Sequence, residues 1–149
     1  MKISRIISAV VFWLLSIAIM LVIFDFSSDT GEESKEISES ILSVIIARIG
    51  EIISHNFLRK LAHFTEYAVL GFCIFGALHF TFNVKKFYIP LIPCVIYAVC
   101  DEIHQYFVPE RACRAFDIFI DSCGSAVGIL IFLLFLYLFM RHKATEKDK

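Results

Sequence analysis

The residues able to do chemistry lie in three short stretches. "AHFTEY" holds His63 and Glu66, "CDEIHQY" holds Asp101, Glu102, His104 and Gln105, and "ERACRAFDIFID" holds Arg111, Arg114, Asp117 and Asp121. Within a helical period His63 shares a face with Glu66, Asp101 with His104 and Gln105, and Asp117 with Asp121. Five carboxylates, two imidazoles and an amide are more than two arginines need, and crowded carboxylates resist ionisation unless a cation joins them. Two chemistries suit such a set. In one, the planar donor fork of Arg111 holds a phosphate or carboxylate on a lipid-linked ligand while His63, Glu66 or Asp101 handles protons as the candidate catalytic group. In the other, the acidic groups hold a divalent cation that itself contacts a pyrophosphate; no other cofactor is expected. The plain structural alternative is a polar network that pins three helix ends together.

Other chemistries find no support. The HxxE of "HFTE" lacks the HExxH order, and Cys73, Cys94, Cys100, Cys113 and Cys123 contain no CxxC pair, so there is no zinc fingerprint. Cys73 and Cys94 read as helix fillers, whereas Cys100, Cys113 and Cys123 fall on one side of the molecule, where the sequence selects no disulfide. No G-x-S-x-G elbow, P-loop or dinucleotide fingerprint occurs, and the basic clusters flank apolar runs in a way that predicts no nucleic-acid site.

The elements that must position these groups are predicted to lie in lipid. The chain has 149 residues, 58% of them hydrophobic and only 19% charged, more apolar surface than a soluble core of this size can bury. One integral membrane domain over residues 1–149 is expected, with helices at about 6–24, 61–82, 87–107 and 115–140. The first run, "IISAVVFWLLSIAIMLVIF", is long enough at about 1.5 Å per residue to cross a hydrocarbon layer of roughly 30 Å. It exceeds the usual signal-peptide core and lacks a small-x-small cleavage site, so it reads as an uncleaved helix. Each of the last three runs carries its ionisable residues at one end.

Basic residues set the expected direction. Eight lysines and arginines fall in segments 1–5, 83–86 and 141–149, against four in the longer 25–60 segment. The positive-inside rule then places both termini and the "NVKK" turn in the cytoplasm, and the 25–60 and 108–114 loops outside. In that orientation all the polar helix ends share the outer layer. A carboxylate facing hydrocarbon costs about 2.5 kcal/mol or more, so these groups are expected to turn inward and form one cluster. In the outer loop, Ile37, Ile41, Val44 or Ile45, Arg48 and Ile52 recur at helical spacing, predicting an amphipathic helix at the membrane surface or a lid on the bundle, with Ser34 as a cap and a plain connecting helix as the alternative. Gly124-x-x-x-Gly128, in line with Asp117 and Asp121, predicts the face of the last helix that packs closely on a neighbour.

"RKLAHFTEYAVLG" followed by "DEIHQYFVPERACRAFDIFIDSCGSAVG", with "FSS" after the first run, resembles the VanZ-like family of bacterial membrane proteins over roughly residues 8–140. Lys60, His63, Glu66 and Tyr67 match its first motif, and Asp101, Glu102, Gln105, Phe107, Arg111, Asp117, Asp121 and Gly124 its second. The resemblance adds Lys60 and Tyr67 to the expected ligand-binding set of Glu102, His104, Gln105, Arg111, Asp117 and Asp121. Two departures stand out: Glu110 replaces the usual glycine before the arginine, and Asp29 the usual glutamine after "FSS". The family is named for a protein associated with teicoplanin resistance. The resemblance therefore implies a multi-pass protein of the bacterial inner membrane that engages a membrane lipid or lipid-linked envelope precursor and contributes to glycopeptide resistance. A membrane enzyme or transporter acting on a lipid-linked phosphate, and a structural membrane protein, are the alternatives.

Overall fold

Long apolar runs satisfy their own backbone polar groups by forming helices, and four helices build the described chain. In the computed structural model, which describes residues 3–30, 32, 36, 55–111 and 113–147, α1 spans Ile3–Ser28, α2 His55–Phe82, α3 Tyr88–Tyr106 and α4 Ala115–Lys147. The expected amphipathic helix around 34–52 lies outside the described residues. Three helices are long and apolar enough to cross a membrane: Ile3–Ser28, Phe57–Phe82 and Ala115–Lys143. The remaining one, α3, has 19 residues and ends in the polar run 101–105.

Several helices extend further than their apolar runs. α1 continues through Ser28, whose hydroxyl donates to the Phe24 carbonyl at 2.7 Å. α4 continues through Lys147 because nothing in "RHKATEK" breaks a helix; Thr145 Oγ1 donates to the Arg141 carbonyl at 3.0 Å and His142 faces Glu146 at 3.7 Å.

α2 is the central element, packing against α1, α3 and α4, with its largest seam on α4. Its middle, from Leu70 to Ala77, is therefore buried almost all round. α1 presents Ala9, Ser16 and Ile23, spaced seven apart, a repeat that keeps one stripe against a neighbour along a gently crossed helix pair. α3 buries Pro90, Cys94, Ala98, Asp101, Glu102 and Gln105, a stripe that is apolar at its start and acidic at its end. α4 buries Asp121, Gly124, Ser125, Gly128, Ile129 and Phe132 in steps of three and four. The outward positions of α1 and α4 are leucine, isoleucine, valine and phenylalanine, including Leu14, Leu21, Leu134 and Phe135. The described helices are apolar along their outer flanks and bury their carboxylates inside one end.

The α2–α4 seam explains the predicted small-residue face. Gly124 lies against the Phe64 backbone, Gly128 against the Ala68 carbonyl, and Gly71 of α2 against the Ser125 carbonyl. A methyl at any of these three positions would overlap main-chain atoms, so glycine is what lets the two helices approach. Below the seam, Phe132 meets Phe72, Phe75 and Phe12 at centroid distances of 4.9, 5.1 and 5.5 Å, filling the end of the bundle away from the acids. That end is closed by α1: Arg5 Nε donates to the Phe80 carbonyl at 2.8 Å, and Trp13 Nε1 to Thr81 Oγ1 at 3.1 Å. Arg5 thus caps the last turn of α2, where unpaired carbonyls and the helix dipole favour a cation.

Candidate functional site

Helix direction brings the motifs together. The start of α2, the end of α3, the start of α4 and the end of α1 lie at one end of the bundle, and the 107–114 connection crosses there. α2 contributes Lys60, His63, Glu66 and Tyr67; α3 contributes Asp101, Glu102 and Gln105; α4 contributes Asp117 and Asp121. Asp121 is 2% exposed, Asp101 4% and Glu102 1%. These are depths at which an ionised carboxylate must find partners or pay heavily in desolvation.

Partners are assigned unevenly. Lys60 Nζ lies 3.0 Å from Asp117 Oδ1 and 4.5 Å above the Phe116 ring, so this amine is held by a carboxylate on one side and a π face on the other. The Asp117 oxygen makes no well-directed hydrogen bond to it, and the pair is held by charge at close range. Glu102 Oε2 accepts the Arg114 backbone N–H at 2.7 Å, tying α3 to the residue before α4. Gln105 Nε2 donates to Asp101 Oδ2 at 3.3 Å and to Ser27 Oγ at 3.1 Å, which links α3 to α1.

The remaining groups are less satisfied. His63 Nδ1 stands 3.8 Å from Glu66 Oε2, beyond hydrogen-bond range. His63 Nδ1, Glu66 Oε2, the Tyr67 hydroxyl, Asp121 Oδ1 and Ser125 Oγ are buried without a hydrogen-bond partner. Buried polar atoms are nearly always paired, so five together are unusual. One imidazole nitrogen of His63, one oxygen of Asp101 and one of Asp121 all lie within 4.8 Å of one another, a donor set and spacing plausible for a divalent cation. Beside them is a cavity of about 10 Å³ lined by Lys60, His63, Glu102, Asp117, Ile120 and Asp121, close to the volume of a single water.

Two expected site residues sit apart from this centre. His104 turns to α1, where its Nε2 is 3.1 Å from Ser28 Oγ and its ring stacks on Phe24 at 4.6 Å. Arg111 Nη2 donates to the Phe26 carbonyl at 2.8 Å, so its first task is to cap the C-terminus of α1, while its Nε is buried without a partner. Burial, with Arg59 nearby, pushes the Arg111 pKa below its ordinary value; Asp29, Asp101 and Glu102 oppose that shift. Among the described residues no carboxylate lies within ion-pair distance of it.

Two serines escaped the reading of the polar groups. Ser27 and Ser125 are fully buried in the site's walls. "FSS" directly after the first apolar run was the available signal for Ser27, and the i+4 relation to Asp121 for Ser125. All five cysteines are free, with Cys73 and Cys94 buried in helix packing as expected. Glu110, in place of the glycine usual in VanZ-like proteins, has φ +62°, the left-handed conformation that glycine adopts without steric cost.

Long apolar helices packed around a buried, one-ended set of acids and an imidazole define a multi-pass membrane protein with an internal polar site. The VanZ/LLP1 family model matches residues 12–136, and the chain belongs to that family, an inner-membrane one. Neither a curated protein nor a solved structure matches it.

Proposed function

We propose that this protein spans the inner membrane four times with both termini in the cytoplasm, and that its polar end opens outward to engage a cell-envelope component. That component is a membrane lipid or a lipid-linked precursor, and the engagement contributes to resistance to teicoplanin-type glycopeptides. The observation that carries the reading is the set of buried polar atoms without partners on His63, Glu66, Tyr67 and Asp121, gathered at one end of an otherwise apolar bundle. A structural network would have paired them, as Gln105 and Glu102 are paired. Arg5, Lys85, Lys86, Arg141 and Lys143 gather at the opposite end, which supports an outward site.

In this reading His63, Glu66 and Asp101 face the ligand's reactive or polar group, Lys60, Asp117 and Asp121 form one wall of the site, and Arg111 supplies a donor at the mouth. The unpartnered Arg111 Nε favours a phosphate or carboxylate there, and this keeps an enzyme or transporter acting on a lipid-linked phosphate as the second reading.

Mass spectrometry of lipids retained after mild detergent extraction tests the proposal, alongside teicoplanin susceptibility of cells that carry the parent, His63→Gln or Glu66→Gln at matched protein levels. Selective co-purification of an anionic envelope lipid, lost in both variants together with protection, is expected. Unchanged protection in both variants would overturn the assignment of this cluster as the site.

A further inference from the structure

Charge accounting in the polar end leaves a specific gap. Asp117 has Lys60 at 3.0 Å, and Glu102 has the Arg114 N–H. Asp101 receives the neutral Gln105 amide and has the equally neutral Tyr67 hydroxyl near it, Asp121 Oδ1 receives nothing, and both are more than nine-tenths buried. Arg111 spends its Nη2 on the Phe26 carbonyl, and neither it nor Arg59 is in ion-pair contact with Asp101 or Asp121 among the described residues. Two carboxylates and a histidine nitrogen thus face one another within 4.8 Å with no cation in ion-pair contact with either carboxylate among the described residues.

We infer that His63, Asp101 and Asp121 form a binding site for a divalent metal ion, with Zn²⁺ as the occupant. Two carboxylates and one neutral imidazole neutralise a doubly charged ion. A ring nitrogen favours zinc over magnesium or calcium, which take oxygen donors almost alone. Donors about 2.0–2.2 Å from a tetrahedral zinc ion stand roughly 3.3–3.6 Å apart, so ligand atoms that lie within 4.8 Å of one another close on the ion with side-chain rotations that move them by up to about 1 Å. Three protein ligands leave one position open, and the adjoining cavity of about 10 Å³ holds one water or one anionic oxygen there. Glu66, 3.8 Å from His63 Nδ1, stands where a supporting carboxylate orients a metal-bound imidazole. The ligands come from three helices, α2, α3 and α4, so the ion also ties together the end of the bundle that lacks the aromatic packing of Phe132.

The test needs no knowledge of the envelope ligand. Tag-free protein in detergent, expressed with zinc supplementation and desalted, is assayed for metal by inductively coupled plasma mass spectrometry and for melting temperature with and without EDTA. About one zinc per chain is expected, with a melting temperature that falls in EDTA and recovers on adding zinc. Asp121→Asn should lose the metal and the EDTA response, while becoming no less stable than EDTA-treated parent because one buried charge is gone. Glu66→Gln should keep the site with zinc affinity roughly 10–100-fold weaker. Asp25→Asn, on the exposed surface of α1, should bind as the parent does. Parent protein that carries no stoichiometric zinc and melts identically in EDTA overturns the proposal, and points to carboxylates that share protons instead. Equal zinc binding by Asp121→Asn and parent overturns it as well. Both results leave the envelope reading standing, since that depends on lipid retention and drug protection.

Discussion

Gly128→Ala should destabilise the bundle more than its size suggests. The new Cβ would sit inside contact distance of the Ala68 carbonyl and the Phe72 backbone nitrogen, and a main chain cannot rotate away as a side chain can. The helices must separate. Overpacking of this kind costs about 1–3 kcal/mol, and the upper half of that range applies where the obstacle is backbone. Alanine returns up to about 1 kcal/mol of helix propensity over glycine, leaving a net loss of about 1–2 kcal/mol. Gly76→Ala supplies the internal comparison: its Cβ would meet the Phe12 ring, a side chain that can tilt, so propensity offsets most of the cost and the net change should be near zero. Reversible unfolding by SDS in mixed micelles measures both. Because the same seam sets the distance between His63 on α2 and Asp121 on α4, Gly128→Ala should also weaken zinc binding, whereas Gly76→Ala should not. Equal stability of the two variants would refute the claim that α2 and α4 are held at backbone contact.

Glu110→Gly should raise stability by up to about 1 kcal/mol in thermal melts, because glycine relieves the left-handed conformation at φ +62°. Lys60→Met should cost about 1–3 kcal/mol, since it leaves Asp117 half-buried beside no cation, and Asp117→Asn should recover part of that loss in the double variant. Cysteine labelling in intact cells should reach position 30 from outside and leave positions 84 and 145 protected; the reverse pattern would invert the proposed topology. Arg111→Lys should retain insertion and most stability, since an ammonium can still reach the Phe26 carbonyl, yet lose a large part of teicoplanin protection; protection equal to that of the parent would remove the ligand role given to Arg111.

Length and charge-free composition made the four helices legible, and the position of the acids within each run made their common end legible. Gly124 and Gly128 announced a close-packed face on α4, because small residues are what let lipid-embedded helices approach, but not that α2 is the helix against it. The helix ends were harder to place: Arg141–Lys147 carries no apolar signal, yet nothing there stops a helix. His104 shows the limit of face arguments within a site. It lies only three residues from Asp101, but the angular offset between them turns its ring onto Phe24 and Ser28 of α1. Which carboxylate Lys60 meets, and that Glu110 takes positive φ, follow from contacts across loops, where periodicity carries no information. The amphipathic outer helix falls among the residues outside the description.

The central place of α2 has a consequence for how the protein is made. His63 and Glu66 leave the ribosome roughly 60 residues before the glycines and aspartates of α4 that enclose them, an interval of about 3–12 s at ~5–20 residues per second. At the start of that interval α2 has α1 beside it but neither polar partner, and α3 brings Asp101 and Glu102 before α4 is made, so the charged end of α2 must first wait in water or in the insertion machinery rather than in lipid. The bundle closes only when its last helix arrives. A chain cut short before Ala115 would lack the wall that carries Asp117, Asp121 and the close-packing glycines, leaving the acid and imidazole of α2 open on that side.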